Sequence, residues 1–97
     1  DTLNLAAVAA GATVSAGAGA DTVTGGAGND SIDVGVDADA DLVNAGGGSD
    51  TVLNFGAGDT VNLEGGADTA TYAAVTAIVD GGTGGGADTL VIATTTG

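Results

Sequence analysis

The feature that most constrains the fold is a glycine- and aspartate-rich nonapeptide that recurs along the chain. Its clearest copy is GGAGNDSID at residues 25–33, which fits the pattern GGxGxDxUx, where U is a large aliphatic residue. Glycines allow the backbone to turn through positive φ, Asp30 supplies an ionised carboxylate, and Ile32 begins a short strand as a buried anchor. One copy alone would constrain little, so the spacing of the other copies is decisive.

Each copy is marked by an aliphatic anchor, which in most copies stands two residues after an aspartate. The ten anchors are Leu3, Val14, Val23, Ile32, Val43, Val52, Val61, Ala70, Val79 and Leu90. Successive anchors are separated by nine or eleven residues and by no other interval. Two copies keep the anchor but carry Ala12 or Ala77 in place of the aspartate. The 97 residues therefore contain about ten repeats.

A nine-residue period is too short for a helical repeat and too regular for a flexible linker. It predicts an all-β fold, a right-handed parallel β-roll or β-solenoid in which each repeat gives one tight turn and one very short strand, with two repeats per coil. We expect the two extra residues of each eleven-residue interval to bulge from a turn without changing the strand register.

In such a coil, odd and even repeats stack on opposite edges, so the aspartates sort into two columns. The first column is predicted to contain Asp1, Asp21, Asp41 and Asp59, followed by Ala77. The second column is predicted to contain Ala12, followed by Asp30, Asp50, Asp68 and Asp88.

These repeats resemble the calcium-binding β-roll of the RTX (repeats-in-toxin) family, over essentially all of residues 1–97 as a single segment. The resemblance implies that the aspartates of two stacked turns share one Ca²⁺, with turn carbonyls completing an all-oxygen shell. The implied metal ligands are Asp1, Asp21, Asp30, Asp41, Asp50, Asp59, Asp68 and Asp88. Neighbours within each column would then hold about six ions. The glycines are shifted or more numerous at 54–59, 63–68 and 81–88, which leaves the ion count at these turns open.

Charge makes a cation necessary for folding. The chain has 13 acidic residues and no Lys, Arg or His, so its net charge is −13. With one valine-sized anchor per repeat the core is expected to be thin, and self-repulsion should keep the chain disordered until the charge is neutralised. About six Ca²⁺ would supply roughly twelve positive charges.

The same composition excludes several classes of function. Without Lys or Arg the chain cannot displace counterions from phosphate, so we expect no nucleic-acid partner, and no apolar run is long enough for membrane insertion. Without His, Cys or Lys, catalysis would depend on carboxylates that calcium keeps ionised, so we predict no enzyme activity in this segment.

Three smaller features have alternative interpretations. A hydroxyl residue follows most of the aspartates, and on one edge it forms the ladder Thr13, Ser31, Thr51, Thr69 and Thr89. This ladder is explained by β-propensity on an exposed strand, or alternatively by an ice- or surface-binding face. Asp37 and Asp39 are either solvated turn residues or accessory calcium ligands. Phe55 and Tyr72, placed at or within turns, are expected to fill local gaps or cover an end.

Two functions remain for such a module. The first is a structural calcium-binding module of a secreted cell-surface protein of the S-layer or extracellular matrix type, favoured by the irregular repeats and by a composition similar to S-layer proteins. The alternative is the calcium-triggered folding and secretion domain of a type I-secreted toxin, protease or lipase. In both cases the location is extracellular, and we expect an excerpt of a longer secreted protein whose partners are calcium, further copies of itself or flanking domains.

Overall fold

The computed structural model describes residues 1–35, 38–56, 58–72, 78–82 and 86–92, with the backbone alone for 72, 78 and 90–92. Within these ranges the chain is all-β, without helix, and its strands are three to five residues long. The strands are β1 (Thr2–Asn4), β2 (Thr13–Ser15), β3 (Thr22–Thr24), β4 (Ser31–Asp33), β5 (Leu42–Asn44), β6 (Thr51–Phe55), β7 (Thr60–Asn62), β8 (Thr69–Tyr72), β9 (Ile78–Asp80) and β10 (Thr89–Ile92).

Successive strands alternate between two parallel sheets. The odd sheet has the order β1-β3-β5-β7-β9, and the even sheet has the order β2-β4-β6-β8-β10. Because five strands in a sheet are joined by four steps, and each step takes two strands, the chain forms a solenoid of about four turns. The predicted parallel β-solenoid with two strands per coil is confirmed.

The strand register follows the anchors through both kinds of interval. Paired anchors are 18 residues apart where two nine-residue intervals lie between them, as for Val43 and Val61. They are 20 residues apart where one interval is longer, as for Val23 and Val43. The two extra residues are therefore absorbed outside the paired strands, as predicted.

The core contains more than the predicted anchors. Val23, Ile32, Val43, Val52, Val61 and Ala70 are buried as expected. A second buried row follows two residues later along the chain, or three in β6, and consists of Val34, Ala45, Phe55 and Leu63. The expectation of one buried anchor per repeat is therefore wrong for these repeats, because side chains two apart on a strand face the same side of the sheet.

Phe55, which was expected to fill a local gap at a turn, is fully buried in the core at the end of β6. Asn54, directly before it, has φ of 60°, and the pairing of β6 with β8 shifts between Leu53 and Phe55. This single extra residue is a β-bulge, which changes the alternation so that Phe55 points into the core. The side chain of Tyr72 lies outside the described residues.

Candidate calcium sites

Backbone hydrogen bonds arrange the aspartates in the two predicted columns. In the first column, Asp41 Oδ1 accepts the N–H of Asp21 at 2.7 Å, and Asp59 Oδ1 accepts the N–H of Asp41 at 2.9 Å. The amino group of Asp1 donates to Asp21 Oδ1 in the same way. Each carboxylate therefore caps the backbone of the preceding coil, and Ala77, the predicted last member, lies outside the described residues.

The second column repeats this pattern on the opposite edge. Its hydrogen bonds run from the N–H of Ala12 to Asp30 Oδ1, from Asp30 to Asp50, from Asp50 to Asp68, and from Asp68 to Asp88, at 2.8 to 3.1 Å. Ala12 is the first member of this column and contributes only its backbone N–H. The structure thus brings the sequence-predicted ligands together pairwise, through one carboxylate oxygen each.

Most of these carboxylates are buried. Asp21, Asp30, Asp41, Asp50, Asp59 and Asp68 are each no more than 4% exposed, whereas Asp1 and Asp88 are exposed at the ends of the columns. A buried ionised carboxylate is costly unless it is paired, and the sequence contains no Lys, Arg or His to pair with it. Hydrogen bonds to Oδ1 compensate for only part of this cost.

The second oxygen, Oδ2, shows where a cation would fit. Oδ2 of Asp21, Asp50 and Asp68 is buried and accepts no hydrogen bond in the described structure. A buried oxygen without a donor is unusual and costs free energy. A divalent cation would satisfy such an oxygen and neutralise the charge, so the donor set fits Ca²⁺, which prefers oxygen ligands.

The pKa values of two aspartates in the second column reflect the same lack of a cation. Burial raises the pKa of Asp50 from 3.8 to about 6; the N–H of Asp30 lowers it, and the carboxylates of Asp68 and Asp30 raise it. Burial also raises the pKa of Asp68, against the lowering effect of its hydrogen bond from Asp50, and Asp88 adds to the increase. Without a cation, burial therefore makes the ionised form of these two side chains less favourable than it is in water.

Carboxylates alone do not complete a calcium site. In the part of the chain that the structure describes, no three acidic side chains converge on one point. Because Ca²⁺ takes six to eight oxygen ligands, the remainder must be backbone carbonyls or water. The turns stack so closely that a Cβ on Gly66 would collide with the carbonyl oxygen of Gly48, which places backbone oxygens between stacked turns.

Residues outside the columns form polar ladders on the outer faces. The hydroxyl ladder predicted on the even sheet is in register across all five strands. A pair of amides on the odd sheet, where Asn62 Nδ2 donates to Asn44 Oδ1 at 2.8 Å, was not predicted. Asn directly after the anchor in the neighbouring strands β5 and β7 was the signal for it. The role of Asp39 stays a prediction, and Asp37 lies outside the described residues.

Comparison with known proteins identifies the repeats. Residues 10–40 and 17–52 match the family model of the RTX calcium-binding nonapeptide repeat (4 copies). The matched region includes Asp21, Asp30, Asp41 and Asp50. No curated protein and no solved structure shows significant similarity to the chain. Among the described residues, no helix is long and apolar enough to cross a membrane.

Proposed function

We propose that this chain, which carries RTX calcium-binding nonapeptide repeats, is a structural module of a secreted cell-surface protein, of the S-layer or extracellular matrix type. In this proposal Ca²⁺ binding to the β-roll drives both folding and assembly. The module has no catalytic role and acts outside the cell, where calcium is abundant.

The observation that carries the proposal is the combination of buried acids and missing cations. Six aspartates are buried in two columns, and the net charge is −13 with no basic side chain. At neutral pH, such a chain is stable as a folded solenoid only if an external cation enters the columns. Calcium is then part of the structure, which makes folding depend on the extracellular calcium concentration.

Assembly is supported by the end of the solenoid formed by β1 and β2. There, Leu3 is 40% exposed and Val8 is 38% exposed, although the equivalent anchor Val23 is buried. An open cleft of about 350 Å³ at this end is lined partly by Leu3, Val14 and Val23. Exposed edge strands with apolar side chains favour association. In the proposed assembly, a neighbouring subunit covers this end.

Light scattering tests the assembly. We expect the chain to be a disordered monomer in chelator and to form oligomers in millimolar calcium. Replacing Leu3 and Val8 by Ser should reduce the oligomeric mass, because it removes apolar surface from the open end. The matched control is Leu42→Ser, since Leu42 is similarly exposed, at 38%, but lies on the outer face of the odd sheet.

A folded chain that stays monomeric at micromolar concentrations would contradict the assembly. It would favour a calcium-triggered folding and secretion module of a type I-secreted protein instead. Binding of the folded chain to ice crystals would instead support the ice- or surface-binding role of the hydroxyl ladder.

A further inference from the structure

The second carboxylate oxygen divides the column aspartates into two classes. In closed turns, a backbone N–H of the same turn reaches Oδ2: Gly26 donates to Asp30 at 2.8 Å, and Gly56 donates to Asp59. In open turns, no donor in the described structure reaches the buried Oδ2; these turns end at Asp21, Asp50 and Asp68. The two classes differ in whether an arriving cation would meet Oδ2 already bonded to an N–H.

Backbone conformation distinguishes these three open turns from the closed turn 25–30. In each of the three, the residue four positions before the aspartate has positive φ: Gly17 at 91°, Gly46 at 103° and Glu64 at 68°. So does the residue two positions before it: Gly19 at 101°, Gly48 at 117° and Gly66 at 130°. The closed turn 25–30 has neither, since Gly26 and Gly28 do not adopt positive φ. In the turn 25–30 the N–H at the fourth position, that of Gly26, therefore faces the carboxylate, whereas in the three open turns no described N–H does.

The closed turn also leaves little room beside its carboxylate. Asp30 accepts the N–H of Ala12 on one oxygen and the N–H of Gly26 on the other. A Cβ placed on Gly25 would lie 2.7 Å from Asp30 Oδ2, which shows how closely the backbone approaches that oxygen. A cation at this turn would have to share Oδ2 with a buried hydrogen bond, in a space that the backbone already limits.

We infer that calcium binds at the open turns, above all at the stacked pair 45–50 and 63–68, and that Asp30 and Asp59 are hydrogen-bond acceptors rather than calcium ligands. This inference rests on the proposed function and makes it specific to individual turns. The motif alone would favour calcium binding at 25–30 over 63–68, because 25–30 fits the nonapeptide at every position and 63–68 does not. The inference reverses this preference.

Three contacts hold the two open turns of this pair together. Gly65 donates its N–H to Gly46 O, and Gly48 donates its N–H to Gly65 O, both at 3.0 Å. The N–H of Asp50 donates to Asp68 Oδ1 at 2.8 Å, so the two carboxylates with open Oδ2 atoms are direct neighbours in the second column. When both carboxylates are ionised, this pair would offer hard, anionic oxygen ligands, which suit a divalent cation.

Glu64 adds an independent sign that the open conformation is required. Only Glu64 and Asn54 among the described non-glycine residues have positive φ. Such a conformation is unfavourable for a residue with a side chain and persists where the surroundings impose it. Asn54 forms the bulge of β6, whereas Glu64 sits at the fourth position of an open turn.

The number of calcium ions bound at saturation tests the inference. We compare Asp50→Asn with Asp30→Asn in the full chain by equilibrium dialysis and metal analysis, because Asn keeps the side-chain shape and an acceptor oxygen. Asp50→Asn should bind at least one ion fewer than the wild type and should raise the calcium midpoint of folding about tenfold or more. Asp30→Asn should bind the wild-type number of ions, even where loss of the Gly26 hydrogen bond shifts its midpoint.

A second measurement does not depend on the variants folding. Substoichiometric Mn²⁺ added to the calcium-folded wild-type chain should broaden the amide NMR signals of 45–50 and 63–68 more than those of 25–30. Stronger broadening at 25–30, or loss of an ion in Asp30→Asn but not in Asp50→Asn, would overturn the inference and leave the proposed function intact. A wild-type chain that binds no calcium would overturn both.

Discussion

The two oxygens of a column aspartate do different things. Oδ1 accepts the backbone N–H of the stacked coil, which fixes the spacing of the turns, while Oδ2 is either bonded within its own turn or left open. A substitution at a column position therefore removes a structural contact and, at the open turns, a cation ligand as well. Substitutions in the turn backbone separate the two effects, because they leave the carboxylates in place.

Glu64 gives such a test. Its φ of 68° costs about 1–2 kcal/mol for a residue with a side chain and little for glycine. We expect Glu64→Gly to stabilise the calcium-bound fold by about 1 kcal/mol relative to Glu64→Gln, which removes the same charge but keeps the strain. Urea unfolding at saturating calcium measures the difference. Equal stability of the two variants would show that the open turn does not impose this conformation.

Among the elements, β6 has a role that the short, regular strands do not share. It is the longest of the described strands, at five residues, and its bulge at Asn54 turns Phe55 into the core beside the anchors. Phe55 is the largest fully buried side chain among those described. A core built mainly from Val and Ala therefore depends strongly on one aromatic ring.

Replacing this ring tests its contribution. Phe55→Ala should destabilise the calcium-bound fold by about 3–5 kcal/mol, because it removes apolar contacts and leaves a cavity. Leu53→Ala is the matched control, since Leu53 lies in the same strand but is only partly buried. Its cost should be clearly smaller in the same denaturant titration. A similar loss in both variants would mean that β6 contributes through its backbone pairing and not through Phe55.

The sequence predicts the structural features that repeat from coil to coil, and not those that occur once. The anchor spacing predicts the solenoid, the register and both aspartate columns, because each anchor is local and its position is copied from coil to coil. The bulge at Asn54 occurs only once among the described strands, so no repeated sequence pattern indicates it. It was not predicted. The open and closed turns were also unpredicted: they depend on backbone φ, and the glycines of 25–30 permit both conformations.

At the scale of the whole molecule, folding is a problem of charge. The 13 acidic residues face no basic side chain, and six of the aspartates are buried. Any agent that neutralises the columns should therefore favour the solenoid. Calcium does this by binding, and protons do it by converting the carboxylates to their neutral form.

Acid should for this reason partly replace calcium. The pKa of Asp50 in the folded chain, about 6, lies above its ordinary value of 3.8, and that of Asp68 is raised as well. A raised pKa of an acid contributes stability that is fully present below the ordinary pKa and is lost as the pH rises through the folded one. In chelator, we expect the far-UV circular dichroism signal of β-structure to increase as the pH falls from 8 to 5. A signal that stays flat or decreases over this range would contradict the raised pKa values.

The most direct test of calcium-dependent folding is a calcium titration at neutral pH followed by far-UV circular dichroism. We expect a disordered spectrum in chelator and a cooperative change to β-structure at calcium concentrations of about 10⁻⁴ to 10⁻³ M, the range of extracellular calcium modules. Magnesium at the same concentration is the control and should be less effective, because it needs a smaller, near-octahedral site. A β-strand spectrum that persists unchanged in excess chelator would contradict the central claim that calcium folds this chain.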